Sequence, residues 1–377
     1  MKIGFDAKRL FNNNTGLGNY SRTLMSNLYT YHPNHEYFLY SPSILLNDEK
    51  NRWQSHDNIK IRTAGSKNHS IWRSFEIKKD IKNDELDIFH GLSHELPRNN
   101  ENLTCKKIVT IHDLIFKTHP EYFPFIDRSF YHIKCKHSLH TADKIIAISE
   151  NTKNDIIKYF NIDPHKIEVI YQSCFGQYYS SDQSQNTELP KSFPTEFNLS
   201  VGSLEPRKNI ASVIKAYSHI NAESRIPLFL IGNGKKHKKY LQKHINRLHL
   251  QKDIHILSNI PTHLLPTIYR NAGMLIYPSF YEGFGLPVVE SLLSSTPVIT
   301  SKNSSLVEAG GPDSFYIDPN SSESIAHAIQ TIQNDTALAK KMSEKGKAYA
   351  LKNFDPKVLT QKMMNLYESV QVEMVGV

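Results

Sequence analysis

Short β-prone runs alternate with helical stripes along almost all of this 377-residue chain, and that alternation is its strongest constraint. Strand–helix–strand units pair their strands in parallel and cover the sheet with helices. Strands are predicted at 2–6, 37–40, 59–62, 88–90, 108–111, 145–148 and 167–171. After a gap they resume at 198–201, 228–231, 254–257, 274–277 and 297–300. Helices are predicted at 20–31, 125–140, 150–159, 210–220, 239–248 and 262–271, from 287, and through much of 322–371. The gap is polar and serine-rich between 178 and 187, the composition of a surface linker. A chain of this length also exceeds one ordinary core. The predicted fold class is therefore α/β with two doubly wound domains. The first spans 1–175, the linker 176–194 and the second 195–355, with a terminal helix, 356–377, packing back on the first domain. Ligands in such folds sit beyond the carboxyl ends of the strands, which points to the cleft between two such domains.

Composition narrows the class of function. Hydrophobic residues make up 39% and charged residues 22%, which excludes a disordered or collagenous chain. No apolar run approaches a membrane-spanning length, and residues 1–7 enter a strand without a signal-like segment. Cys105, Cys135 and Cys174 lack paired spacing and suit reduced thiols, so a cytoplasmic location is expected. Lys and Arg number 45 against 37 for Asp and Glu, a net charge of +8. Nucleic acid, anionic lipid or phosphorylated ligands could use that excess. The basic residues fall in short clusters such as Lys235-Lys236-His237-Lys238-Lys239, and no common nucleic-acid motif appears, so no nucleic-acid partner is expected. Phe123, Phe125, Phe130 and Tyr131 lie near Arg128, Lys134 and Lys136. Packing inside the first domain is the expected reading; peripheral contact with anionic headgroups, at the inner face of a membrane, is the other.

Three runs at predicted strand ends carry chemistry. In Tyr281-Glu282-Gly283-Phe284-Gly285-Leu286-Pro287-Val288-Val289-Glu290, Pro287 suits a helix start, and Gly283 and Gly285 let backbone N–H groups approach an anion. Glu282 on the loop and Glu290 in the first helical turn would accept hydrogen bonds from vicinal hydroxyls. Glu290 could equally just complement the helix dipole. In Gly202-Ser203-Leu204-Glu205-Pro206-Arg207-Lys208-Asn209, Arg207 and Lys208 can neutralise a diphosphate, and Asn209 can cap the next helix. Gly232-Asn233-Gly234 is a weaker turn signal and lacks the dinucleotide fingerprint. In the first half, Thr15-Gly16-Leu17-Gly18-Asn19-Tyr20 reads as a flexible loop. His112, just past strand 108–111, is placed to bond a substrate hydroxyl, with Asp113 orienting it. His90 is a lesser candidate of the same kind. No spacing supports a bound transition metal, and no nucleophile elbow is present.

Together, Gly202–Asn209, Gly232–Gly234, the run 265–272 and the run 278–290 resemble the retaining glycosyltransferase family 4, in the family's order and spacing. The form Leu-Glu-Pro-Arg-Lys-Asn is similar to a subgroup of bacterial mannosyltransferases that assemble surface polysaccharide such as O-antigen or capsule. The resemblance implies a GT-B fold, two Rossmann-like domains facing across a cleft, with donor bound by the second and acceptor mainly by the first. It implies catalytic roles for Glu282, Arg207, Lys208 and His112. Glu290, Gly283, Phe284, Gly285, Leu286, Gly202, Gly232 and Gly234 would bind the donor, and Gly16 and Gly18 would belong to an acceptor loop. Ser203 stands where many members have arginine, and Ser305-Leu306-Val307-Glu308 departs from a usual Pro-Glu pair.

The implied reaction moves a hexose, mannose from GDP-mannose first and a UDP-sugar second, to a saccharide or lipid-linked acceptor with retention of configuration. Departing diphosphate creates the main electrostatic demand, which Arg207, Lys208 and helix-start amides would meet without a metal or other cofactor. A catalytically silent nucleotide-sugar-binding protein and a sugar-nucleotide epimerase are the rival readings.

Overall fold

The computed structural model describes residues 1–65, 68–179 and 188–375. Residues 180–187, the middle of the segment read as a linker, and the last two residues lie outside the described residues. The chain divides into two compact units, Met1–Ser173 with Pro356–Val377, and Cys174–Asp355.

Unit 1 is built on a seven-stranded sheet. Its strands are β1 (Lys2–Asp6), β2 (Glu36–Ser41), β3 (Ile59–Thr63), β4 (Ile88–Gly91), β5 (Lys106–Ile111), β6 (Lys144–Ala147) and β7 (Ile167–Val169). They pair in parallel in the order β3-β2-β1-β4-β5-β6-β7. The order reverses direction between β1 and β4, where Phe5 lies opposite His90. Alternation along β2 sends Tyr37 and Leu39 to one core and Phe38 and Tyr40 to the other, so both faces are buried. Helices Gly16–Tyr31 and Pro356–Val375 cover the first face through Leu24, Leu28, Met363 and Tyr367. Tyr367 also meets Nδ1 of the fully buried His90 at 2.7 Å, and Thr110 holds its Nε2 at 2.8 Å. His90 is thus a satisfied core residue.

Unit 2 repeats the plan with six parallel strands. They are β8 (Asn198–Val201), β9 (Leu228–Ile231), β10 (Ile254–Leu257), β11 (Leu275–Tyr277), β12 (Val298–Ser301) and β13 (Phe315–Ile317). Their order is β10-β9-β8-β11-β12-β13, so the reversal falls between β8 and β11. The three-residue β13 was not predicted, because so short a run carries no periodic signal.

Two expectations are corrected in unit 1. The segment read as a flexible loop at 15–20 is mostly helix, starting at Gly16. The Asn13 side chain accepts from Thr15 N at 2.9 Å and Gly18 N at 3.1 Å, tying the first turn down. A Cβ on Gly18 would fall 1.8 Å from the Asn13 carbonyl oxygen, so this glycine serves close backbone packing. The aromatic cluster does not all pack inward either. On helix Phe125–Thr141, Phe125 is 74% exposed, Ile126 66%, Phe130 59% and Ile133 51%, whereas Phe123 is partly buried. Ile126, Phe130 and Ile133 follow i, i+4, i+7 spacing, so one outward stripe of this helix is apolar.

Candidate functional site

Unit 2 gathers its predicted cations and one predicted carboxylate where the sheet reverses. The loop after β8 carries a single 3-10 turn, Pro206–Lys208, and the loop after β11 carries Glu282. Because β8 and β11 are neighbours, these loops lie side by side. Asn209, in the left-handed region at φ 57°, joins them. Its amide donates to the carbonyls of Pro278 at 3.1 Å and Pro319 at 2.6 Å, and Ser212 donates to its Oδ1. Asn209 is therefore a cross-loop clamp and not the predicted side-chain helix cap. Phe280 N adds a bond to the Arg207 carbonyl at 3.0 Å.

Glu282 sits between both cations. Lys208 Nζ donates to Oε1 at 2.6 Å, and Arg207 Nη1 lies 2.7 Å from Oε2. Tyr277, the last residue of β11, receives a short hydrogen bond from Lys208 and donates to Glu282 at 3.1 Å. Lys208 and Glu282 are 8% and 7% exposed, so this is a buried ion cluster. Burial alone would raise the Glu282 carboxyl, but Lys208 and Arg207 overcome it and hold it at about 2. Burial lowers Lys208 from the ordinary lysine value, against the pull of Glu282. Glu205, more than half exposed at the rim, adds a second carboxylate 3.6 Å from Arg207, so both cations are paired but only Glu282 is buried between them. Tyr277 escaped the sequence reading; its place at a strand end was the available signal.

Glu290 has a different setting. It lies in the second turn of helix Leu286–Leu293, not the first as predicted, since that helix begins at Leu286. Tyr269 donates to its Oε2 at 3.0 Å. Burial without a cation pushes the Glu290 carboxyl up to about 7. Tyr269 was also missed, being an ordinary position on helix Leu265–Asn271.

The glycine-rich loop between them is held from outside. Ser305 Oγ shares its one proton between the carbonyls of Glu282 at 2.8 Å and Phe284 at 3.0 Å, and Ser304 Oγ accepts from Glu282 N. Ser305, one of the departures from the family pattern, thus anchors residues 282–284. Gly283, Phe284 and Gly285 are buried, and Leu286 opens the helix. Gly202, Gly232 and Gly234 belong to the adjoining turns after β8 and β9. A Cβ on Gly232 would fall 1.8 Å from the Gly202 carbonyl oxygen, so close loop packing already requires a glycine there.

In unit 1, His112 is buried with both ring nitrogens engaged. Nε2 meets the Leu92 carbonyl at 2.8 Å, and Gln172 Nε2 meets Nδ1 at 3.1 Å. A carbonyl accepts only, so Nε2 carries the proton and Nδ1 accepts from Gln172. Gln172 and Leu92, not Asp113, orient the ring; the Asp113 carboxylate instead accepts from Ile115 N. Burial, aided by His94, pushes His112 down to about 3, so it is neutral at ordinary pH. The predicted bond to a substrate hydroxyl therefore has no ring nitrogen left to make it in this geometry.

Known proteins share both halves of the chain. The family described as glycosyltransferase family 4 matches residues 16–173, and that described as glycosyl transferases group 1 matches residues 183–349. The chain is 33% identical over 256 residues to O-antigen chain mannosyltransferase B of Escherichia coli, an alignment covering 66% of each. It is 31% identical over 267 residues to O-antigen chain mannosyltransferase RfbU of Salmonella typhimurium, covering 70% of this chain and 69% of that one. The chain thus spans about two thirds of the length of these relatives. Among solved structures, HepE of Anabaena in complex with UDP-glucose superposes with a TM-score of 0.78 at 17% identity, over 98% of this chain and 100% of that one.

Proposed function

The chain belongs to glycosyltransferase family 4, with the GT-B fold, and from that premise we propose that it transfers mannose from GDP-mannose to a growing surface saccharide with retention of configuration. One observation carries the chemistry: two cations, Arg207 and Lys208, fixed on buried Glu282 at the strand reversal of unit 2. Departure of the diphosphate concentrates negative charge, and fixed cations beside that position lower the barrier without reorganising. Two of the three N–H bonds of Lys208 go to Tyr277 and Glu282, which aims the third. Arg207 is fixed by Glu282 and by the Tyr281 carbonyl at 2.8 Å. Glu282, kept ionised, positions both cations, and ionised Glu290 accepts the ribose hydroxyls. The acceptor hydroxyl attacks the anomeric carbon on the face the diphosphate leaves, and a departing phosphate oxygen takes the hydroxyl proton. On this reading, transfer persists in a chelator such as EDTA.

The mannosyl and GDP assignments rest on the two mannosyltransferase relatives. A UDP-sugar is the second reading, favoured by the UDP-glucose held by HepE. Thermal shift separates them: saturating GDP raises apparent stability by mass action, about 2.7 kcal/mol at a hundredfold excess over Kd, and UDP does so less. A larger shift with UDP reverses the base assignment. No shift with either, or a GDP shift untouched by Lys208→Ala and Arg207→Ala together, removes the proposal.

The acceptor is proposed to be lipid-linked, with the apolar stripe of helix Phe125–Thr141 lying on the membrane surface. Its exposed Phe125, Ile126, Phe130 and Ile133 are flanked by Arg128 and Lys136, a pattern suited to anionic headgroups. Among the described residues no helix is long and apolar enough to cross a membrane. Sedimentation with anionic vesicles at low salt tests this contact, and Phe125→Ser with Phe130→Ser should abolish it.

A further inference from the structure

One helix of unit 2 concentrates positive charge. Helix Lys235–Arg247 carries six Lys and Arg residues and no Asp or Glu, in a chain whose net charge is +8. Its first turn holds no acidic residue, although a helix N-terminus favours anions and repels cations. Lys239 and Lys243, and Lys243 and Arg247, are like-charge pairs at i, i+4 spacing, which destabilise a helix further. Among the described residues, no ion pair reaches Lys236, Lys239, Lys243 or Arg247. Glu205 faces His237 of this helix but is already 3.6 Å from Arg207. Even counted in full it leaves the helix, six cations less one carboxylate, with five positive charges in excess. Local rules broken without compensation inside the fold point to a use outside it.

The outward face specifies that use. Lys236, Tyr240, Lys243 and Arg247 are exposed at steps of four, three and four residues, with exposed Lys239 beside them. They form a stripe about 16 Å long at the helical rise. Lys238 is committed to the protein, its Nζ donating to Ser258 at 3.0 Å. Tyr240 is 52% exposed and stacks between His237 and His244, with ring centroids 5.1 and 6.1 Å away. Arg247 Nη2 donates to His244 Nδ1 at 2.8 Å, so Nε2 carries the ring proton. The face thus presents donors and positive charge, which suits a partner made of anionic acceptors. Three classes of polyanion meet that description, and the geometry separates them. A helix lying on a membrane inserts apolar residues, whereas Leu241 and Ile245 here are fully buried in the core of unit 2. Single-stranded nucleic acid stacks its bases on open aromatic faces, but those of Tyr240 are taken by the two histidines. An acidic polypeptide needs neither feature: its carboxylates pair with the cations along the stripe.

We infer that the outward face of helix Lys235–Arg247 docks an Asp- or Glu-rich segment of a partner protein through Lys236, Lys239, Lys243 and Arg247. The inference goes beyond the transfer reaction and does not rest on it. Fluorescence polarisation of a labelled hexaglutamate peptide with the full chain tests it. An extended peptide of that length, at about 3.3 Å per residue, spans the stripe. Binding should weaken as salt rises. It should fall about tenfold in Lys236→Glu with Lys243→Glu, the scale of two exposed ion pairs lost and reversed. Lys341→Glu with Lys347→Glu, on helix Thr336–Asn353, changes the net charge equally and should weaken binding less than about twofold. The first variant should also unfold at a higher denaturant concentration than the parent, because opposite charges replace the like-charge pairs. A lower one assigns these lysines to the fold and overturns the inference. So does an absence of peptide binding, equal weakening in both variants, or displacement of the peptide by phosphatidylglycerol vesicles or oligothymidylate at equal charge concentration.

Discussion

The two strand reversals of the molecule are mirror images in charge. In unit 1 a guanidinium, Arg73, lies between two carboxylates, Asp6 and Glu95. In unit 2 a carboxylate, Glu282, lies between two cations, Arg207 and Lys208. Each cluster keeps its centre ionised against burial: Glu282 is held at about 2, and Arg73 is held above the ordinary arginine value by Asp6 and Glu95. Lys134 adds an outer cation to Glu95 in unit 1, and Glu205 an outer carboxylate, 3.6 Å from Arg207, in unit 2. One sheet design can thus bury either a cation between anions or an anion between cations. The choice lies in which sign occupies the centre.

The largest effect should come from the cations of unit 2. Arg207→Ala or Lys208→Ala should cut the single-turnover transfer rate about a hundred- to a thousandfold, the scale for losing one preorganised group at a developing oxyanion. Transfer near the parental rate in both would show that these cations are not used. Removing the centres should next separate the units by stability. Glu282→Gln and Arg73→Met each strand buried charges and should cost about 3–5 kcal/mol in chemical denaturation. Their pH signatures should oppose each other. Stranded Asp6 and Glu95 favour protonation in the folded state, so Arg73→Met should recover stability as pH falls below neutral. Stranded Lys208 favours losing its proton, so Glu282→Gln should recover stability as pH rises. Parallel profiles would end the comparison.

A smaller effect concerns Glu290, pushed up to about 7. Ribose hydroxyls are accepted by the ionised form, so GDP affinity should climb as pH rises from 6 to 8, by roughly tenfold at most per pKa unit of linkage. Isothermal titration of Glu290→Gln should give a flat profile and weaker binding. The parent chain should also lose stability as pH falls from the ordinary glutamate range towards about 2, because the depressed Glu282 carboxyl stabilises the fold only while ionised. Smallest is Ser305→Ala, which removes the shared hydrogen bond to the loop at 282–284 and should cost about 1 kcal/mol with the charge cluster intact.

Much of the site was legible because its residues are grouped by loop. Arg207 and Lys208 are neighbours in the chain, and Glu282 and Glu290 flank one glycine-rich run, so motif and strand-end position expose them. Their partners were not legible. Tyr277 and Tyr269 lie on a strand and a helix, where tyrosine reads as packing. His112 looked available because it follows a strand, yet Gln172, sixty positions away, closes its second nitrogen. Residues 15–20 looked like a loop because of two glycines, although Gly18 is there to let a helix turn touch the Asn13 backbone.

Local order along the chain determined the parallel α/β units, the strand ends and the charged motifs beyond them, because hydrophobic period and turn chemistry act over a few residues. Tertiary structure alone decided the strand order, and with it that the loop after β8 meets the loop after β11. It therefore decided that Glu282 is ionised between cations while Glu290 is left beside tyrosines. Carboxylates identical in sequence terms differ because burial and neighbouring charge set their proton affinity, and both depend on residues distant in the chain.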